Sequence, residues 1–214
     1  WQSREIDSGS AWTTLTTGLS TAEHRVAMLS GLVENEPLFD LFSQVDHLIP
    51  RNLAGRPARI WARRQVLGDQ PTNDDVPYKR VWHYVPDSLA VAVPLTYPPK
   101  PTTGVTVSGF PSPEVAVRPK SLEPWVRERY DGEPSKFDAE GALREGYVDD
   151  LFATHERERD LVLDLVDREA FRLQFVVFTL LDRLLHVTDD AATVERAYHA
   201  IDETTAALVD AVDP

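Results

Sequence analysis

The stretch FRLQFVVFTLLDRLL, residues 171–185, is the strongest apolar run of the chain, interrupted by charge at Arg172, Asp182 and Arg183. Those charges keep it well short of the ~18 uncharged apolar residues that span a bilayer, so it reads as core and not as a membrane segment. At helical period, Leu163, Val166, Ala170, Leu173, Val177, Leu180, Leu184 and Val187 recur at alternating spacings of three and four, an a/d stripe. Phe171, Phe175, Phe178 and Leu185 form a second stripe beside it. A helix that is apolar on two faces needs two partners. The pattern therefore predicts one long helix, with Phe171, Phe175, Phe178, Asp182 and Leu185 as a helix-packing interface.

Residues 147–212 contain no proline, which suits continuous helix. Asp189 or Asp190 can cap a following helix whose face is marked by Val194, Ala197, Ile201, Leu208 and Val212. The chain thus closes on a helical hairpin. Its second helix covers one apolar stripe of the first, leaving the other for the N-terminal helices, the sheet or another subunit.

The chain opens on WQSREIDSGS, which has neither the charged start nor the apolar run of a signal peptide, so no secretion signal is expected. Ser20 and Glu23 have the spacing of a capping box, followed at helical period by Val26, Leu29 and Leu32–Val33. Pro37 suits the first turn of a second helix with Leu41, Phe42, Val45, Leu48 and Ile49 on one face, stopped by Pro50. A helical hairpin is predicted over residues 1–50.

The middle changes period. RIWARRQVL, KRVWHYV, SLAVAVPLTY, TGVTVSGF and PEVAVRP are short, rich in Val, Thr and aromatics, and separated by Pro, Gly, Asn and Asp clusters. They predict a small antiparallel sheet of about four or five strands. Residues 94–134 hold more than half of the 16 prolines and read as an extended arm, lying on a neighbour or wrapping its own domain. The predicted class is α+β: an N-terminal helical segment (1–50), a basic β module (51–118), then a Pro-rich connection and C-terminal hairpin (119–214).

With 214 residues and 42% hydrophobic content the chain can bury a sizeable core in one compact domain or two interlocked ones. Zero cysteines remove disulfides, thiol catalysis and Cys-ligated zinc or iron–sulfur centres. Its 35 acidic residues face 22 basic ones, of which only four are Lys, for a net charge of −13. A carboxylate-rich, Lys-poor surface suits a protein kept soluble in concentrated salt, where repulsion is screened within a few ångströms. The charge is uneven: −5 over residues 1–50, +4 over 51–118 and −12 over 119–214.

Against that background, RNLAGRPARIWARR (51–64) carries five arginines and no acid. On a strand, Arg59, Trp61 and Arg63 would share a face. Together with Arg51, Arg56 and Arg64 they form either an interface set meeting carboxylates of this chain or a neighbouring subunit, or a patch that tracks a nucleic-acid backbone with the indole stacked on a base. The acidic whole would repel a polyanion, so the interface is preferred. Glu195, His199 and Asp202 fall at i, i+4 and i+7, a spacing that can converge on a metal but is common by chance. THERERD (154–160) begins like a zinc-protease motif, but Arg159 stands where the second histidine must be, so it reads as a charged helix face.

No phosphate loop, dinucleotide fingerprint or nucleophile elbow is present, and no nucleophile, base and orienter are placed together. The expectation is a non-enzymatic subunit of a homo-oligomer or larger assembly, self-associating or bound to other assembly proteins, with no cofactor and no membrane. It would be cytoplasmic or sit in a viral particle assembled there, as a neck, tail or connector component from a salt-adapted source. The alternatives are a nucleic-acid-associated regulator using the Arg/Trp row and a metal-dependent enzyme.

Overall fold

The computed structural model describes residues 8–28, 31–32, 71–110, 112 and 114–212. The chain divides into two compact units, Trp1–Val81 and Trp82–Pro214. Their boundary falls inside the 51–118 segment that charge marks off in the sequence.

The decisive stretch does not extend a helix. α4 (Tyr147–Arg168) starts after Gly146, whose φ of 76° needs no side chain, and carries Asp149 and Asp150 in its first turn, where the helix dipole favours them. It ends as Glu169 turns to extended backbone (φ −143°, ψ 136°) while its amide still donates to Leu165 O at 3.1 Å. Leu173–Val176 then forms strand β6, and only Leu180–Leu185 returns to helix as α5. Ala170, Leu173 and Val177 of the a/d stripe therefore lie outside any helix, and the predicted single long helix is corrected to helix, strand, helix. The physical reason lies beside it. Val, Phe and Leu fit a pleated surface as well as a helix face, and a waiting strand edge decides between them.

That edge belongs to β3 (Ser88–Val93), SLAVAV, which is buried on both faces and forms the centre of a four-stranded sheet. β4 (Val105–Ser108) runs parallel to it on one side and β6 parallel on the other, while β5 (Val117–Arg118) pairs antiparallel with β4 at the far edge. The sheet is mixed, not antiparallel as the strand signals alone suggest. Strand β5 is short because Pro119 has no amide to continue the ladder. The class, helices with a small mixed sheet, is α+β.

One face of the sheet packs on α4. Leu161, Val162 and Leu165 meet Leu89, Val91, Val105, Val107 and Val117, with Val126 of α3 (Glu123–Arg127) and Tyr130 closing the core. At the other end of α4, Tyr147, Leu151 and Phe152 pack with Leu180 and Leu184 of α5 and Ala197 of α6 (Ala191–Val212). α6 starts as the sequence predicts: Asp190 Oδ2 accepts from Thr193 N–H at 2.9 Å and Thr193 O–H at 2.6 Å.

In the first unit, α1 (Ser8–Thr17) is rich in threonines whose hydroxyls bond back to carbonyls four residues earlier, Thr13 to Gly9 O at 2.9 Å and Thr16 to Trp12 O at 2.7 Å. The Ser20–Glu23 capping box is present, with Ser20 N–H donating to Glu23 Oε2 at 2.8 Å, but it opens a single turn, α2 (Thr21–His24). Arg25 adopts φ 62° and the chain enters β1 (Val26–Met28), paired antiparallel with β2 (Gly31–Leu32). The helix predicted through Val33 is thus corrected; the His24 ring stops it, its Nδ1 accepting from Val26 N–H at 3.1 Å and its Nε2 lying 3.0 Å from Thr14 Oγ1. Arg80 is buried, donating to Thr16 Oγ1 at 2.6 Å, and burial pushes its guanidinium down to about 10, still charged at neutral pH. The second N-terminal helix and the RIWARRQVL strand lie outside the described residues, and Val81–His83 of KRVWHYV is a 3₁₀ turn, not a strand. Among the described residues, no helix is long and apolar enough to cross a membrane.

Candidate functional site

β6 is an edge strand. It pairs with β3 on one side, and among the described residues no strand pairs with the other. All four of its residues are half-buried. From Leu173 to Leu181 there is no charge, no proline and no glycine. Edge strands in natural proteins are normally blunted by an inward charge, a Lys, a Pro or a bulge. β6 has none of these, and its ladder to β3 runs without a register shift from Ser88–Leu173 to Val91–Val176.

The residues expected to form a helical interface are redistributed around this edge. Phe171 packs on the core beneath α4, Phe175 lies with its ring centroid 5.5 Å from Trp82, and Phe178 meets His155 edge-on at 5.2 Å. Only Asp182 and Leu185 project outward, Leu185 with 52% of its surface exposed. The predicted helix face is therefore corrected to a strand and its flanks, because a strand sends alternate side chains to opposite faces.

A second polar feature lies at the carboxyl ends of β3 and β4, the end where open parallel sheets usually bind ligands. A cavity of about 70 Å³ is walled by Ala92, Ser108, Gly109, Tyr130 and Glu133 among others. Ala92 sits in a bulge with φ 55°, and a Cβ on Gly109 would overlap the Ala92 backbone. Behind Tyr130, its hydroxyl donates to Glu158 Oε1 at 3.4 Å. Glu158 is only 2% exposed; burial first, then the nearby Glu133 charge, hold its carboxyl well above the usual range. Burial likewise raises the Tyr130 phenol. Glu133 accepts from Thr179 O–H and stands 3.6 Å from Arg183 Nε, whose guanidinium lies 3.9 Å over the Phe110 ring.

Chemically this is a buried phenol–carboxyl pair beside a space for a few waters, far below the ~300 Å³ at which small-molecule sites begin. Among the described residues, no nucleophile with its base lines it. THERERD is half of what the sequence suggests. Arg157 pairs with Asp131 at 3.2 Å and Arg159 with Asp160 at 2.8 Å, but Thr154, His155 and Glu158 are buried. His155 Nε2 lies 2.9 Å from Thr204 Oγ1 on α6, and burial lowers its pKa. The signal available in the sequence was spacing: Leu151, His155, Glu158 and Val162 fall on one helical face with the core leucines.

The metal candidate does not assemble. Glu195 and His199 approach only to 3.9 Å with both side chains more than 70% exposed, Asp202 is exposed, and among the described residues no three metal-binding side chains converge. Arg51, Arg56, Arg59, Trp61, Arg63 and Arg64 lie outside the described residues. The chain matches no family model, no curated protein and no solved structure.

Proposed function

We propose that this protein is a non-enzymatic subunit of a homo-oligomer or larger assembly and that it associates through the outer edge of β6. The observation that carries this reading is the uncharged run Leu173–Leu181 at a sheet edge that no strand among the described residues covers. Its backbone donors and acceptors are a ready template for another strand. The half-buried apolar residues along it, with exposed Leu185 close by in sequence, supply apolar area that association removes from water. The acid-rich, Lys-poor composition supports a salt-adapted source, in which an interface of apolar area and backbone hydrogen bonds persists where ion pairs are screened. A cytoplasmic setting, or a viral particle assembled there, suits such a subunit.

The test is absolute mass by light scattering after size exclusion, from about 0.1 M salt to multimolar, where the Debye length falls from about 10 Å to below about 3 Å. The wild type is expected at a defined multiple of 24.1 kDa throughout. Gln174→Lys, which adds a charge to the edge, is expected to run as a monomer with unchanged far-UV circular dichroism. A wild type that is monomeric at every salt overturns the reading.

A further inference from the structure

We infer that the occupant of the β6 edge is a second copy of this chain, paired antiparallel about a two-fold axis through Gln174; this rests on the assembly reading and adds its partner and register. Val177 N–H donates to Val91 O at 3.1 Å, so with Val91 beside Val176 the backbone groups of Leu173, Phe175 and Val177 face β3, and alternation turns those of Gln174 and Val176 to the outer edge. An axis perpendicular to the sheet at Gln174 sets Leu173 opposite the partner's Phe175, and Phe175 opposite the partner's Leu173. Gln174, whose N–H and C=O point outward, can exchange both N–H···O bonds with the partner's Gln174, and the two Leu173–Phe175 pairs flank it as non-hydrogen-bonded pairs. The sheet then continues from one copy into the other.

Side chains choose the register. In the parallel ladder Gln174 and Val176 stand beside Leu89 and Val91, on the α4 face, while Leu173 and Phe175 stand beside Ser88 and Ala90, on the Trp82 face. Antiparallel partners share a face, so Leu173 meets the partner's Phe175 in an apolar cross-strand pair. Gln174 is the one hydrogen-bonding side chain in residues 173–178. On the axis it faces its own copy in a hydrogen-bonded pair, with Cα atoms about 5.5 Å apart and the two side chains on one face of the sheet. A primary amide complements itself, each N–H donating to the other's carbonyl oxygen. Sliding the strands moves each half-buried amide against an apolar side chain, a cost of the kind that fixes register in coiled coils with one polar core residue. Charge agrees: exposed Arg172 opens the strand and exposed Asp182 follows it in α5, so antiparallel pairing carries each Arg172 toward the partner's Asp182 end.

The chain has no cysteine, so Gln174→Cys introduces a single thiol, at a Cα separation inside disulfide range. Mild oxidation with glutathione disulfide is expected to convert most of Q174C to a reducible dimer on a non-reducing gel. Asp202→Cys, exposed on α6, stays monomeric on the same gel. A mixture of L173C and F175C is expected to form the hetero-linked dimer. Wild type that is multimeric by light scattering, with no crosslink from Q174C or from the mixture, overturns the partner and register while leaving the assembly reading standing. Monomeric wild type with no crosslink overturns both.

Discussion

Glu158→Gln isolates the most unusual group in the core. The side chains are nearly isosteric, and Tyr130 O–H can donate to the amide oxygen as it does to Glu158 Oε1. What the substitution removes is a titration. Burial raises the folded-state pKa of Glu158 well above its unfolded value of about 4.3. Below about pH 4 both states hold the proton and the group contributes no pH dependence. Between the two pKa values the unfolded chain has released a proton that the folded chain keeps, so wild-type stability falls by about 1.4 kcal/mol for each pH unit. This loss flattens once the pH passes the folded pKa. E158Q lacks that slope. The difference in unfolding free energy, wild type minus E158Q, is expected to fall as pH rises above the unfolded value at fixed salt, and to level off beyond the folded one. Urea unfolding at half-unit steps measures it. Two parallel curves as pH rises through the carboxylate range would refute the claim that burial raises the Glu158 carboxyl.

Gly109→Ala places a Cβ inside the backbone of Ala92, at the bulge where β3 and β4 run side by side, and is expected to cost about 3 kcal/mol of stability in urea titrations, the top of the overpacking range. Asp190→Ala removes the N-cap of α6 and lowers the thermal midpoint at pH 7. Hydrogen bonds from Thr193 hold the Asp190 carboxyl below its ordinary value, so the stability it adds is present at neutral pH and lost as pH falls through that lowered value; wild type and D190A converge in acid.

Features that depend on neighbours in sequence were legible without a structure. The Asp190 cap and the last helix, the capping box at Ser20, SLAVAV as a strand and the mixed class all rest on local hydrogen bonding or on periodicity within one element. The length of the turn after Ser20 was not, because the His24 ring that ends it takes its bonds from Thr14 and Val26. Residues 171–178 show the limit most clearly. Their Phe, Val and Leu satisfy a helical stripe and a strand equally, and the stripe runs unbroken from Leu163 to Val187. The tertiary structure chose strand, because β3 offered an open parallel edge whose backbone groups needed partners. The burial of Glu158 follows from the same choice. Once the chain after Arg168 folds back along β3, the α4 face that carries His155 and Glu158 is covered by the core and α6, not by water. Composition fixed what this chain can bury; which segment turned back to be buried was a question of long-range pairing, and that free energy is invisible to any window of sequence.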